Sequence, residues 1–514
     1  MGQQKAKLDA GKAKKSKITL KQRTTLRWTI AFVLVFAILI GLGLAVSNDW
    51  FDGFGPACTV GDIEISKDEY QFNFHSNYAS FVNYYSSYLS SIGLDTSKDL
   101  SAQMYDEDTT WEQYFEEQTR TSLVDTVALS ETAKAEGITL DEERQAEVDS
   151  YVADMKASAK SEGLSLGAYS RGVFGRKLDE ETIRSSLTRI LLAEQYSEHL
   201  YDSFEYSDEE LTAEYEANVN DYDTVEYLLL PIFADIPDQE NMTDDEYADV
   251  TANAMAEAKE KAEELFETIA GGSDTASETA FNNVAIRYTK DLLEEEEDKE
   301  EVTAELFLET AHGQDEVVET SGAEWLYDTS RKAGDIAVLE DTEGYSLYLF
   351  RNREKESYSV VDVRHILVPF NANNTEATST TEDNKAKSGA EELLASFKAA
   401  GATEEAFATL AKANGTDATA VEGGLMEDIK QGDMVAEFDA WIFDEARKEG
   451  DYDIVKTQYG YHLVYFQGAG EEAWKVDVDT VLREADYSEK YDSILNVYPV
   501  VIDGMEVYRY EGKK

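Results

Sequence analysis

Two stretches of this chain run through the same order of elements, and that repetition limits the fold more than any single residue does. "DTVEYLLLPIF" (223–233) reads as a strand, a long Ala/Glu/Lys pattern of helical period follows at about 244–269, and "GYSLYLFRNR" (344–353) closes the set as a second strand. The order then recurs in "YSVVDVRHILVPF" (358–370), helical patterns over 385–399 and 403–414, and "YGYHLVYF" (459–466). A period of roughly 130 residues met twice predicts two copies of one α+β module. In the second copy "NANNTEATSTTEDN" (371–384) is a polar, flexible insertion between strand and helix.

The first 50 residues are of another kind. Residues 1–27 carry nine Lys/Arg against one acid, Asp9, and "WTIAFVLVFAILIGLGLAV" (28–46) then runs 19 residues without a charge. Such a run is long enough to cross a bilayer. The basic flank belongs on the cytoplasmic side, which puts everything after Val46 outside the cell membrane. A cleaved signal peptide is the alternative, because "AVS" (45–47) offers small residues, yet the run exceeds the ~7–15 residues usual there. A retained single-pass anchor is the expectation. A lipid anchor at Cys58 is discounted, since "FGPAC" lies well past the apolar run and lacks an aliphatic residue three before the cysteine.

At 514 residues the chain exceeds one ordinary core, and three or so domains are expected. Its formal charge is −60; the basic first 27 residues hold +8, which leaves −68 for the rest. A nucleic-acid partner is therefore not expected, and the acidity reads as solubility in a cation-rich exterior. "EEEED" (294–298) lacks the alternating ligands and glycine turn of a calcium loop and reads as a solvated loop. A single cysteine allows no internal disulfide, so packing must hold the fold.

Between anchor and modules the chain is helical. "TVGDIEI" (59–65) reads as two short strands around a Gly-Asp turn, with Ser66 as helix N-cap and Glu69 three residues on. The following helix places Phe74, Tyr78, Phe81, Tyr85 and Tyr88 in one stripe, either core packing or an aromatic surface for unfolded chains. From 111 to 216, helix follows helix, with Ser, Thr or Asp ahead of acidic residues at the breaks.

The stretch 361–468 holds "VRHILV", "EGGLMEDIKQGDMVAEFDAWIF", "GDYDIVKT" and "QYGYHLVYF". In order and spacing these resemble the parvulin family of peptidyl-prolyl cis/trans isomerases. That family's pattern opens on a His-Ile-Leu strand, passes a Gly-Gly turn and a Met/Phe-bearing helix, and closes on a Thr-x-x-Gly-x-His strand. The resemblance implies an antiparallel sheet, His365 and His462 as paired histidines, Thr457 as the hydroxyl beside them and Asp417 as the nearby acid. It also implies Met426, Met434 and Phe438 as walls of a proline pocket, with "GGLMED" departing from the more typical Gly-Gly-Asp-Leu-Gly. Because Met is pliable and apolar, Met426 can take the place of the usual leucine. No cofactor is implied, and two histidines without a third ligand make a poor zinc site, so no metal is expected.

The physical demand on such a site is modest. An X-Pro bond turns slowly because rotation breaks amide resonance, against a barrier of ~18–20 kcal/mol. An apolar pocket that grips the ring and polar groups that favour the rotated carbonyl suffice, with no covalent step by Asp417. In the first copy Tyr227 falls at the place of His365 and Ser346 at that of His462, so that copy is expected to be non-catalytic, serving spacing, homodimer formation or client binding.

The whole order resembles the PrsA/SurA class of extracytoplasmic foldases, with an anchor as in PpiD-like relatives. Its implied divisions are a basic tail 1–27, an anchor 28–46, a helical chaperone-like domain 58–222, a degenerate module 223–355, an isomerase module 356–470 and a closing segment 471–514 that packs on the helical domain. Two functions stay open: a membrane-anchored prolyl isomerase acting on newly translocated proteins, and a holdase in which both modules are vestigial.

Overall fold

The computed structural model describes residues 56–239, 242–293, 295–371, 375, 377, 379–502 and 505–508. The apolar run 28–46 lies outside them, and among the described residues no helix is long and apolar enough to cross a membrane. The fold is mixed α+β, and the described residues form one helical region and three four-stranded antiparallel sheets. Contacts divide the chain into two compact units, Tyr206–Val481 and the residues on either side, up to Glu205 and from Leu482 onward.

In the helical unit, β1 (Cys58–Val60) and β2 (Ile63–Ile65) form a hairpin, and five helices follow at Lys67–Tyr84, Trp111–Ala135, Glu142–Ser161, Leu166–Phe174 and Glu180–Asp202. Each starts where a short polar side chain can take an otherwise unpaired backbone N–H. Ser66, Thr110, Asp141, Ser165 and Asp179 accept from the residue three positions on, worth about 1 kcal/mol each. The core gathers Phe74, Tyr78, Trp111, Phe115, Leu123 and Val127. The aromatic stripe is split in two: Phe74 and Tyr78 are buried, whereas the helix ends at Tyr84 and leaves Tyr85 and Tyr88 37% and 62% exposed.

The other unit holds the two modules. β3 (Thr224–Phe233), β4 (Leu308–His312), β5 (Ile336–Asp341) and β6 (Gly344–Glu354) make a sheet in the order β4-β3-β6-β5. β7 (Ser359–Pro369), β8 (Leu425–Ile429), β9 (Tyr452–Lys456) and β10 (Gly460–Glu472) repeat it as β8-β7-β10-β9. In both, the two long central strands are the near-continuous apolar runs of the sequence, as strands covered on both faces must be. Helices Asp244–Ala270 and Glu278–Leu292 cover the first sheet, and Thr380–Ala399 and Glu404–Asn414 the second. The helix expected from 385 begins at Thr380, because the Ser379 hydroxyl accepts from Glu382 N–H at 3.3 Å and caps it there. The acidic stretch expected as a loop instead runs into a five-residue helix, Glu296–Glu300. β11 (Val500–Ile502) pairs with β1 and carries β12 (Met505–Tyr508), so the chain's end completes the hairpin sheet.

The sheets correct one alignment between the modules. Gly344 faces Phe233 and Gly460 faces Pro369, each so close that a Cβ would stand 2.2 Å from the Ile232 carbonyl oxygen or 2.3 Å from that of Val368. Matched on these glycines, Ser346 does take the place of His462, but Leu229, not Tyr227, takes the place of His365. The sequence match follows Pro231 onto Pro369, whereas in the sheets Pro231 faces Ser346 and Pro369 faces Gly460. The shift is two residues, which keeps every side chain on its own face and so leaves the apolar pattern unable to reveal it.

Candidate functional site

β7 and β10 run antiparallel with His365 opposite Val464 and His462 opposite Leu367, so the two histidines are diagonal neighbours on one face of the sheet. Their rings lie 5.6 Å apart and nearly parallel, with Nδ1 to Nδ1 at 3.3 Å. Phe438, buried on the helix Ala436–Ile442, stands edge-on to both, 5.9 Å from His365 and 5.3 Å from His462. It belongs to an apolar cluster with Val363, Val464 and Ile442, on which Met426 and Met434 pack half-buried.

The Gly-Gly turn brings the acid. The His365 N–H donates to the Gly424 carbonyl at 2.8 Å, and Gly424 has φ +75°. A Cβ there would stand 2.2 Å from the His365 carbonyl oxygen, so only glycine lets the turn lie on the strand. The preceding loop is thereby held against the His365 ring. Asp417 caps a 3₁₀ turn over Ala418–Glu422, accepting the Thr419 N–H at 3.0 Å and the Thr419 hydroxyl at 2.5 Å. The Thr419 hydroxyl lies 3.3 Å from His365 Nε2; Asp417 Oδ2, buried and without a hydrogen-bond partner, lies 3.7 Å from the same nitrogen.

At the other end the buried Thr457 hydroxyl sits 3.0 Å from His462 Nε2 and accepts the Tyr459 N–H at 3.2 Å. Thr457 stands at the end of β9 because its own N–H pairs with Gly460 across the tight turn into β10. Burial pushes His365 below its ordinary pKa, with Asp417 opposing. Burial and then the neighbouring His365 push His462 down to about 4, again with Asp417 opposing. Both imidazoles are therefore neutral near pH 7, each offering one donor and one acceptor.

The structure thus brings His365, His462, Asp417, Thr457 and Phe438 into one chain of contacts, with Met426 and Met434 in the adjoining apolar cluster. Thr419 was missed from the sequence. Its signal was the Asp-x-Thr spacing, since a carboxylate that caps a turn accepts from the residue two positions on. Among the described residues no group of three or more His, Cys, Asp or Glu is arranged to hold a metal ion.

In the first module the corresponding space is filled from within. "WLY" (325–327) matches "WIF" (441–443), which sets Gly322 at the place of Phe438, and Tyr348 stands where Val464 does. A Cβ on Gly322 would meet the Tyr348 hydroxyl at 2.6 Å, and the Tyr348 ring stacks on Tyr227 at 5.9 Å. The bulk of helix and sheet has been exchanged, and both site histidines are gone.

Residues 345–469 match the family described as the PPIC-type PPIase domain. Over 105 residues, 20% of this chain, the sequence is 35% identical to Foldase protein PrsA 1 of Listeria innocua, and the match spans 29% of that relative's length. Solved PrsA structures are similar at lower identity. That from Bacillus anthracis is 16% identical, with 48% of this chain and 90% of that one covered and a TM-score of 0.20. That from Bacillus subtilis is also 16% identical, covering 62% and 89% at a TM-score of 0.20. The relationship rests on the matched domain. The chain therefore carries a parvulin-type PPIase domain similar to that of the PrsA foldases.

Proposed function

We propose that this protein is an extracytoplasmic foldase, anchored through residues 28–46, that isomerises X-Pro bonds in unfolded or newly translocated proteins at the His365/His462 site. The observation that carries the reading is the polar chain from Thr457 through both histidines and Thr419 to Asp417, running beside the apolar cluster of Phe438, Met426 and Met434. The apolar cluster would hold the proline ring while the preceding residue turns. As conjugation is lost the amide nitrogen becomes more basic and the carbonyl less delocalised, and neutral donors and acceptors in a dry setting favour that state without a bond being made or broken. Each ~1.4 kcal/mol of such preference is worth tenfold in rate. The test is isomerisation of a short X-Pro peptide, followed by exchange NMR, with the full chain and its His462→Ala variant. Loss of activity in a folded variant supports the site, and undiminished activity removes it.

A holdase is the second reading, favoured by a specific surface: Tyr84, Tyr88, Met104 and Tyr105 are exposed around the end of the first helix and its neighbouring loop. Such a concentration of large apolar side chains marks an interaction surface. Suppression of client aggregation that survives His462→Ala but fails when Tyr84, Tyr88 and Tyr105 are changed to Ser would favour it over catalysis.

A further inference from the structure

We propose that Thr419 is a positioning residue whose hydroxyl relays the Asp417 carboxylate to His365 and so sets the direction of every hydrogen bond in the site; this rests on the reading of the site given above. Asp417 Oδ2 lies 3.7 Å from His365 Nε2, beyond hydrogen-bond reach, so the carboxylate cannot orient the ring directly. Thr419 is within reach of both, 2.5 Å from Asp417 Oδ1 and 3.3 Å from His365 Nε2. An ionised carboxylate only accepts, so the single hydroxyl proton of Thr419 goes to Asp417. Its oxygen is then an acceptor toward the ring, and His365 Nε2 must carry a proton.

The rest follows atom by atom. With Nε2 protonated, neutral His365 has Nδ1 as acceptor, and the facing Nδ1 of His462 at 3.3 Å must be the donor. His462 Nε2 is then an acceptor and takes the Thr457 hydroxyl proton at 3.0 Å, while the Thr457 oxygen accepts the Tyr459 N–H. Each ring nitrogen and each hydroxyl then has a role consistent with its neighbours. The reverse order would point the lone pair of His365 Nε2 at the Asp417 carboxylate and set Thr419 between two competing acceptors. Thr419 thus converts a charge at one end into a single proton order reaching Thr457.

Tautomers read this directly, and the chain's five histidines make the spectrum tractable. Two-bond nitrogen–proton NMR on the full chain labelled with ¹⁵N-histidine is expected to show His365 protonated at Nε2 and His462 at Nδ1, assigned with His365→Gln and His462→Gln. Thr419→Val and Thr419→Ala are expected to release both rings into tautomer mixtures, while Thr419→Ser restores the wild-type pattern. On an X-Pro peptide, kcat should fall roughly five- to tenfold in the Val and Ala variants with KM little changed, and Ser should recover it. The Ala variant removes the hydroxyl without β-branched bulk, so a folding failure of one variant leaves the other to decide. Wild-type His365 protonated at Nδ1, or rings unmoved by loss of the hydroxyl, overturns the inference. Rings that respond as stated in a chain with no isomerase activity leave the inference standing and remove the functional reading instead.

Discussion

Gly424→Ala, set beside Gly432→Ala, separates backbone strain from the contact that builds the site. Both glycines have left-handed φ, +75° and +85°, so both substitutions incur the cost of a Cβ in that region, about 1–2 kcal/mol. At Gly432 nothing lies within 4 Å of the new Cβ, and the cost stops there. At Gly424 the Cβ would stand 2.2 Å from the His365 carbonyl oxygen and 3.1 Å from its nitrogen, both backbone atoms of a central strand that cannot yield. The turn must lift away instead, which breaks the 2.8 Å bond from His365 N–H to the Gly424 carbonyl and strands a donor, about 1–3 kcal/mol more. The expected loss is therefore about 2–5 kcal/mol against about 1–2. The assay is hydrogen exchange of peptides covering β7 through a urea series in the full chain, which reports local stability where a global melt of several domains would not. Lifting the turn also carries Asp417 and Thr419 from His365, so isomerase activity should fall in Gly424→Ala and persist in Gly432→Ala. Equal destabilisation by the two substitutions would refute the reasoning.

Burial holds the folded pKa of His462 near 4 against an ordinary 6.5, so the unfolded chain binds the extra proton between those values. That part of the stability is complete above about 6.5 and disappears as pH falls to about 4, on the order of 3 kcal/mol in all; a urea-midpoint series in which His462→Gln retains the full acid slope would contradict it. Gly322→Phe alone should destabilise the first module, because its new side chain meets the Tyr348 hydroxyl, whereas Gly322→Phe with Tyr348→Val should recover about 2 kcal/mol, read as the coupling energy of a double-mutant cycle. At the junction of the modules the buried Glu356 accepts from Thr224 at 2.7 Å and meets His312 Nδ1 at 2.8 Å, and these partners hold its pKa near 2 despite burial. Its contribution is complete above about 4.5 and lost as pH falls towards 2, and Glu356→Gln should lower stability at pH 7 by about 2–3 kcal/mol; an unchanged urea midpoint would show the junction to be held by other contacts.

Much of the local chemistry was legible where one residue answers one backbone need. Ser66 caps its helix with the expected bond to Glu69 N–H, and the two strands around Gly61 and Asp62 are those the turn residues call for. The helix after the polar insertion was placed five residues late because Ser379 was not read as its cap. The pairing of His365 with His462 was legible because two histidines in matching apolar strands can meet only when those strands are neighbours. Thr419 was not, since its role depends on where the Gly-Gly turn sets the loop, and no run of letters states that distance.

The sequence alone established the period of two modules, the apolar strands at the centre of each sheet, the start of the first helix at Ser66, and the site residues His365, His462, Asp417, Thr457 and Phe438 as candidates. Tertiary structure decided register, and with it that Leu229 and not Tyr227 replaces His365, because a slip of two residues leaves the alternation of a strand unchanged. It decided that Tyr348 occupies the room left by Gly322, since volume is shared between elements and belongs to neither alone. It decided, too, which way the protons of the site run, because a hydroxyl becomes donor or acceptor only when the groups on both sides of it are in place.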